Sequence, residues 1–163
     1  MNTAFLLTGG NLGNRLENLH KAATLIEEQC GKISNISSVY QTAAWGFTAQ
    51  PDFYNQALAI NTTLQPDSLM QTLLNIEAAM GRQRSFKMAP RIIDIDILLM
   101  DTMVYASSSV TIPHPRLAER RFVLTPLAEI AGDIIHPVFH KTIKELLATC
   151  KDELPVHKIS AEK

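Results

Sequence analysis

The segment Pro90-Arg91-Ile92-Ile93-Asp94-Ile95-Asp96-Ile97-Leu98-Leu99-Met100 constrains this chain more than any other, because it joins strong burial signals to two acids that burial disfavours. The β-branched run Ile92, Ile93, Ile95 and Ile97 favours an extended strand. Side chains alternate between the faces of a strand, so Asp94 and Asp96 point the same way. Carboxylates beside so much aliphatic bulk are costly, or take up protons, unless something positive holds them as anions. A divalent cation with oxygen ligands is the simplest such partner. An Asp-x-Asp on the solvent face of an edge strand is the ordinary alternative, and the remaining sequence has to decide between them.

The chain of 163 residues suits a single domain over 1–163, ending in a polar tail at 151–163. A formal charge of -1 predicts no bulk attraction to nucleic acid or to a membrane, so any anion binding must be local. The apolar run Met1 to Leu7 is too short for a signal peptide or a membrane span, and no later segment spans either. Cys30 and Cys150 lie far apart without metal-ligand spacing. Reduced packing roles in a cytoplasmic setting are the expectation, with a disulfide between them left open.

Periodicity supplies the order of elements. Thr3 to Thr8 is a short β-compatible run entering the turn-rich Gly9-Gly10-Asn11-Leu12-Gly13-Asn14. Leu16, Leu19, Ala23, Ile26 and Cys30 mark a helix that Gly31 stops. Ile33 to Thr42 reads as one strand with imperfect alternation, and 43–52 as an aromatic loop. Phe53 to Thr63 alternates as a strand, and Pro66-Asp67 open a helix with Leu69, Leu73, Ile76 and Met80 inward. Short strands at 103–105 and 110–112 and helices at 123–131 and 142–150 follow. The β-α-β-β-α-β order predicts an α+β, ferredoxin-like domain with a central antiparallel sheet and helices on its faces. A fold of that kind specifies no function.

Chemistry must come from clusters. The glycine-rich loop matches neither a dinucleotide fingerprint nor a P-loop, although its lack of Cβ atoms would let backbone approach a ligand. Arg82, Arg84, Lys87 and Arg91 place four cations in ten residues immediately before the two acids. His114, Arg116, Arg120 and Arg121 form a second cationic group after the Pro113-His114-Pro115 turn. Local cations beside a metal-binding acid pair, on a nearly neutral protein, are what a nucleoside triphosphate with magnesium requires.

These residues also carry a resemblance. Gly9-Gly10-Asn11-Leu12-Gly13, Tyr40-Gln41-Thr42, Trp45-Gly46, Pro51-Asp52-Phe53-Tyr54-Asn55, Gly81-Arg82-x-Arg84, Pro90-Arg91-x-Ile93-Asp94-Ile95-Asp96, Pro113-His114-Pro115-Arg116 and Arg120-Arg121-Phe122-Val123-Leu124 stand in order and spacing. In this the chain resembles the hydroxymethyl-dihydropterin pyrophosphokinases of folate biosynthesis. The resemblance implies transfer of pyrophosphate from ATP to the hydroxymethyl oxygen of the reduced pterin, releasing AMP. It implies two magnesium ions held by Asp94 and Asp96, with Arg82, Arg84 and Arg91 acting on phosphates. Glu77, Ile97, Thr111, His114 and Arg120 would complete the ATP site. Thr42, Ala43, Trp45, Phe53, Asn55, Asp94 and Phe122 would bind the pterin, the two Phe rings stacking on it and Asn55 reading its edge. Ala43 and Ala44 stand where many relatives carry prolines, and Phe86, Lys87 and Met88 replace a lid tryptophan that some carry. The implied enzyme acts on small molecules, without nucleic acid or membrane, as a monomer or weak homo-oligomer. A non-catalytic ferredoxin-like module and a sugar-nucleotide transferase using Asp-x-Asp are the rival readings. Magnesium-dependent AMP release discriminates among the three.

Overall fold

Strand β1 (Asn2–Gly10) runs into helix α1 (Arg15–Gln29), then strands β2 (Lys32–Ile36), β3 (Tyr40–Thr42) and β4 (Phe53–Thr62). Helix α2 (Pro66–Ala79) and strand β5 (Asp94–Met100) complete the core motif. A hairpin of β6 (Tyr105–Ala106) and β7 (Thr111–Ile112), a 3-10 turn Leu117–Glu119, helices α3 (Arg121–Ala131) and α4 (Ile143–Ala148), and β8 (His157–Lys158) follow. The computed structural model describes residues 1–43, 50–82 and 90–159.

The main sheet has the order β5-β1-β4-β3-β8, with β2 also paired to β4, and the pairings given are antiparallel. This is the α+β, ferredoxin-like arrangement expected from the order of elements. Each face of the sheet carries its own core. Leu6, Leu58, Ile60, Ile95 and Ile97 pack against Leu19, Ala22 and Ile26 of α1 and Leu69, Leu73 and Ile76 of α2. Phe5, Leu7, Ala59 and Leu98 pack against Val123, Leu124 and Leu127 of α3 and Ile143 and Leu146 of α4. Both faces of β1 and β4 are therefore covered, which is why residues of both alternating sets are buried.

Several boundaries differ from the sequence reading. The expected strand at 33–42 divides at Ser37, which is buried and turns its own groups to β4: its N–H donates to Ala57 O, and its Oγ accepts from Ala57 N–H, both at 2.9 Å. In α1 the expected Leu19, Ile26 and Cys30 are buried together with Ala22, while Leu16, at the start of the expected stripe, is 49% exposed. Strand β5 begins at Asp94 and excludes Ile92 and Ile93. The tail at 151–163 is more than polar chain: β8 within it extends the sheet at the edge of β3. Among the described residues no helix is long and apolar enough to cross a membrane.

Candidate active site

The α3 side of the sheet is packed only as far as Leu7. Beyond it, two residues further along β1, comes Gly9, and the register places Asp94 of β5 on one side of Gly9 and Asn55 of β4 on the other. Residues paired across antiparallel strands present their side chains on one face. A cleft of about 210 Å³ opens there, lined by Thr42, Ala43, Phe53, Asn55, Arg91, Asp94, Asp96, Arg120 and Phe122 together with Leu7, Gly9, Arg116 and Glu119. The tertiary fold thus brings nine of the expected residues to one cavity, from β3, β4 and β5, the segments adjoining them, and the start of α3.

Asp94 and Asp96 alternate with the buried Ile95 and Ile97, so the acids face the cleft while the isoleucines enter the opposite core. Burial, then the neighbouring charges of Asp94 and Glu77, push the Asp96 carboxyl well above the ordinary carboxylate range, against the pull of Arg120 and Arg91. Arg91 Nη1 lies 3.4 Å from Asp94 Oδ2, and Arg82 Nη2 lies 3.7 Å from Asp94 Oδ1. Cations also flank the two rings: the Arg91 guanidinium lies 5.1 Å from the Phe53 centroid and that of Arg120 5.7 Å from Phe122.

Asn55 is buried, and its Oδ1 has no hydrogen-bond partner among the described residues, while its Nδ2 lies 3.5 Å from Thr8 O. A buried acceptor without a partner is costly, and in a cleft it is an unmet demand for a donor.

Of the other expected residues, Glu77 stands behind the acids: its Oε2 accepts from Ile95 N–H at 2.7 Å and its Oε1 lies 3.6 Å from Arg82 Nε. His114 donates its backbone N–H to Leu98 O at 2.9 Å and accepts from Arg116 N–H on Nδ1 at 3.1 Å. Burial and the Arg120 charge hold its imidazole below the usual value, against Asp94. The Ile97 side chain lies in the core on the far face rather than in the cleft, and Thr111 is exposed on β7 opposite Ala106. Arg121 turns to the C-terminal segment, where its Nε donates to Asp152 O and its Nη2 to Cys150 O, both at 2.9 Å. Trp45, Arg84 and the lid residues Phe86, Lys87 and Met88 lie outside the described residues.

The glycine-rich loop has a different use from the one its sequence suggests. A Cβ on Gly10 would stand 2.2 Å from Ile92 O, so the backbone that approaches closely is the chain's own. Asn11 then brackets two cleft-lining segments. Its Nδ2 donates to Gln50 Oε1 (2.9 Å) and Pro51 O (3.1 Å), and its Oδ1 accepts from Arg91 N–H (2.9 Å). Arg15 adds a second tie, stacking 4.0 Å from the Tyr54 centroid and donating to Asp52 O at 2.9 Å. Glu119, Asn11 and Arg15 were not legible as site or support residues. Only for Glu119 is there a local signal, its i,i+3 spacing from Arg116, which it meets at 3.6 Å.

Comparison with known proteins follows from this geometry. Residues 5–132 match the model of the family described as 7,8-dihydro-6-hydroxymethylpterin-pyrophosphokinase (HPPK). The chain is 41% identical over 145 residues to a 2-amino-4-hydroxy-6-hydroxymethyldihydropteridine pyrophosphokinase of Aquifex aeolicus, covering 89% of this chain and 90% of that one. A protein of the same description from Methylorubrum extorquens is 39% identical, over 91% of this chain and 93% of its own. The folic acid synthesis protein FOL1 of Dictyostelium discoideum is 35% identical over 97% of this chain, which spans only 24% of FOL1. Among solved structures, Plasmodium falciparum HPPK-DHPS with pteroate is similar in fold, with a TM-score of 0.75 at 18% identity, covering 90% of this chain and 44% of that one.

Proposed function

The chain belongs to the 7,8-dihydro-6-hydroxymethylpterin-pyrophosphokinase family, and on that premise we propose which of its residues carry each part of the reaction. It transfers the pyrophosphoryl group of ATP to the hydroxymethyl group of 6-hydroxymethyl-7,8-dihydropterin, releasing AMP, in folate biosynthesis. Family membership does not favour the non-catalytic module or the sugar-nucleotide transferase. The single observation carrying the residue assignment is the buried Asn55 Oδ1, without a partner among the described residues, in a cleft that also contains Phe53, Phe122 and the acid pair.

Asn55 accepts from an N–H on the edge of the pterin, which meets the demand of its buried oxygen. Phe53 and Phe122 hold the flat heterocycle by stacking, and Thr42 and Ala43 close its edge. This leaves the hydroxymethyl group toward Asp94 and Asp96. Their oxygens suit magnesium: hard carboxylate donors side by side on one strand face, one of them costly as an anion without a cation. Asp94 and Asp96 would hold two such ions, which would screen phosphate charge and make the hydroxymethyl oxygen a better nucleophile.

The protein's own groups supply the remaining work. Arg82, Arg91 and Arg120, with Arg116, neutralise phosphate oxygens around the acid pair, and Arg84 is assigned the same role. Glu77 fixes the start of the β5 backbone and the Arg82 guanidinium, so its part in the ATP site is to hold other groups in place. His114, its imidazole held below its usual value by burial, lies at the ATP side; Ile97 and Thr111 contribute only through the backbone and the hairpin. Enclosure of the β-phosphorus excludes water, so that the pterin oxygen attacks in its place. We place this enzyme in the cytoplasm, acting as a monomer or weak homo-oligomer.

The test is AMP release from ATP, with and without the hydroxymethyl-dihydropterin and with magnesium present or chelated. Release that needs both is expected. Folded protein that forms no AMP with all components present would overturn the assignment.

A further inference from the structure

The cross-strand register places one row of residues on the cleft face: Asp94, Gly9, Asn55, Tyr40 and Lys158, contributed by β5, β1, β4, β3 and β8 in turn. Tyr40 is buried and lies outside the cleft lining, directly beside Asn55. Its hydroxyl donates to Glu129 Oε1 at 2.5 Å. Ser38 N–H donates to Glu129 Oε1 and Oε2 at 3.2 and 3.1 Å, and Ser38 Oγ donates to Oε2 at 3.1 Å. Burial raises the Glu129 carboxyl, but these hydrogen bonds and the Lys158 charge outweigh it, so the group is held below its ordinary value as an anion.

Glu129 belongs to α3, and Phe122 lies seven residues before it on the same helix. Two turns of helix bring residues at that spacing to one face. The carboxylate therefore joins the helix that carries Phe122 to the strand row that carries Asn55.

A second tie reaches the other end of α3. Arg120, at the N-cap, makes no side-chain capping bond. Asp152 substitutes from the C-terminal segment: its Oδ2 accepts from Arg121 N–H at 3.0 Å, and its Oδ1 accepts from Leu154 N–H at 3.0 Å. From Asp152 the chain crosses to β3, where β8 pairs with Tyr40 and Gln41 and Ile159 N–H donates to Val39 O at 2.8 Å. The segment runs from the helix wall of the cleft to its strand wall.

We propose that Glu129 and Asp152 are positioning residues for the pterin, fixing Phe122 on α3 at a set separation from Asn55 and Phe53 on the sheet. The proposal rests on the reading of this cleft as the pterin slot. Neither residue touches the cleft, and neither is tied to Arg82, Arg91 or the acid pair. Their loss therefore acts first on the separation of Phe122 from the sheet, and so mainly on the pterin side.

The experiment is steady-state kinetics with each substrate varied, on Glu129→Ala, Glu129→Gln, Asp152→Ala and Asp152→Asn. The alanine variants are expected to raise the KM for hydroxymethyl-dihydropterin about tenfold, since a small misplacement of positioning groups costs up to about a hundredfold. The KM for ATP is expected to stay within about twofold, and Gln and Asn, which keep a carbonyl acceptor, to restore most of the pterin KM. Parallel changes in both KM values, or a melting temperature that falls with no change in either, overturn the proposal. Where an alanine variant does not fold, Tyr40→Phe decides: it keeps the buried ring, drops the hydroxyl, and an unchanged pterin KM overturns the role of Glu129. Wild-type protein forming no AMP overturns instead the reading of the site on which the inference rests.

Discussion

A Cβ placed on Gly9 would stand 2.0 Å from Nδ2 of Asn55, its partner across the β1–β4 ladder. The glycine is what gives the Asn55 amide its position over the strand. The nearest atom is the end of a side chain, so Gly9→Ala should keep the fold while displacing the amide. Losing an oriented hydrogen bond to a substrate costs about 1–3 kcal/mol, or roughly ten- to hundredfold in pterin affinity. Titration with the pterin should show that loss, and circular dichroism an unchanged fold; wild-type pterin affinity would refute the coupling.

Asp96 gives a prediction of opposite signs for stability and activity. Its carboxyl is raised by burial, by Asp94 and by Glu77, so the folded state favours the protonated form. The penalty of the anion is absent below the unfolded value of 3.8 and grows as pH rises toward the raised folded value. Asp96→Asn should therefore melt a few degrees higher than wild type, about 2–4 °C per kcal/mol, in metal-free buffer near pH 8. Its turnover should fall by about a thousandfold, as for loss of a main electrostatic element. Added magnesium should stabilise wild type and leave the variant unmoved. An active variant would remove this carboxylate from the mechanism.

Glu77 is buried at 2% exposure and accepts the first free N–H of β5, that of Ile95. Glu77→Ala should cost about 1–3 kcal/mol, the penalty for leaving a buried donor without its acceptor. Urea unfolding measures it. Glu77→Gln keeps a carbonyl there and should recover part of the stability, whereas equal losses would point to packing alone.

His136 is buried and its Nδ1 accepts from Val138 N–H and Phe139 N–H, each at 3.1 Å. Burial, then the charge of His140, holds it below its usual 6.5. Because the folded value is depressed, its contribution is present above 6.5 and is lost as pH falls through the folded value. Wild type should lose melting temperature as pH falls below 6.5 more steeply than His136→Asn, whose carbonyl accepts without titrating. Parallel curves would exclude the imidazole as the cause.

Particular residues show where sequence reasoning held and where it failed. Pro66 at the start of α2, and the alternation in β4, are properties of a few neighbouring residues, and both were legible. Ile92 and Ile93 look like strand by type, yet Asn11 and Leu12 donate their N–H groups to Arg91 O, and that segment serves as a bracket between loops. Strand β8 has only two residues and no pattern of its own; it exists because β3 offers a free edge. Glu129 lay in a helix correctly expected, but its partners Ser38 and Tyr40 are about ninety residues away, 91 and 89 in number.

The sequence by itself determined the core order of strands and helices, the family, and that Asp94 and Asp96 share a face, since alternation along a strand is a local consequence of backbone geometry. The tertiary structure alone decided that this face is a cleft. Helix packing on the second face stops at Leu7, and Gly9 leaves the row from Asp94 to Asn55 uncovered. It also decided which cations arrive, keeping Arg120 at the acids and sending Arg121 to Asp152. Such outcomes depend on contacts between residues far apart in the chain, which no local pattern encodes.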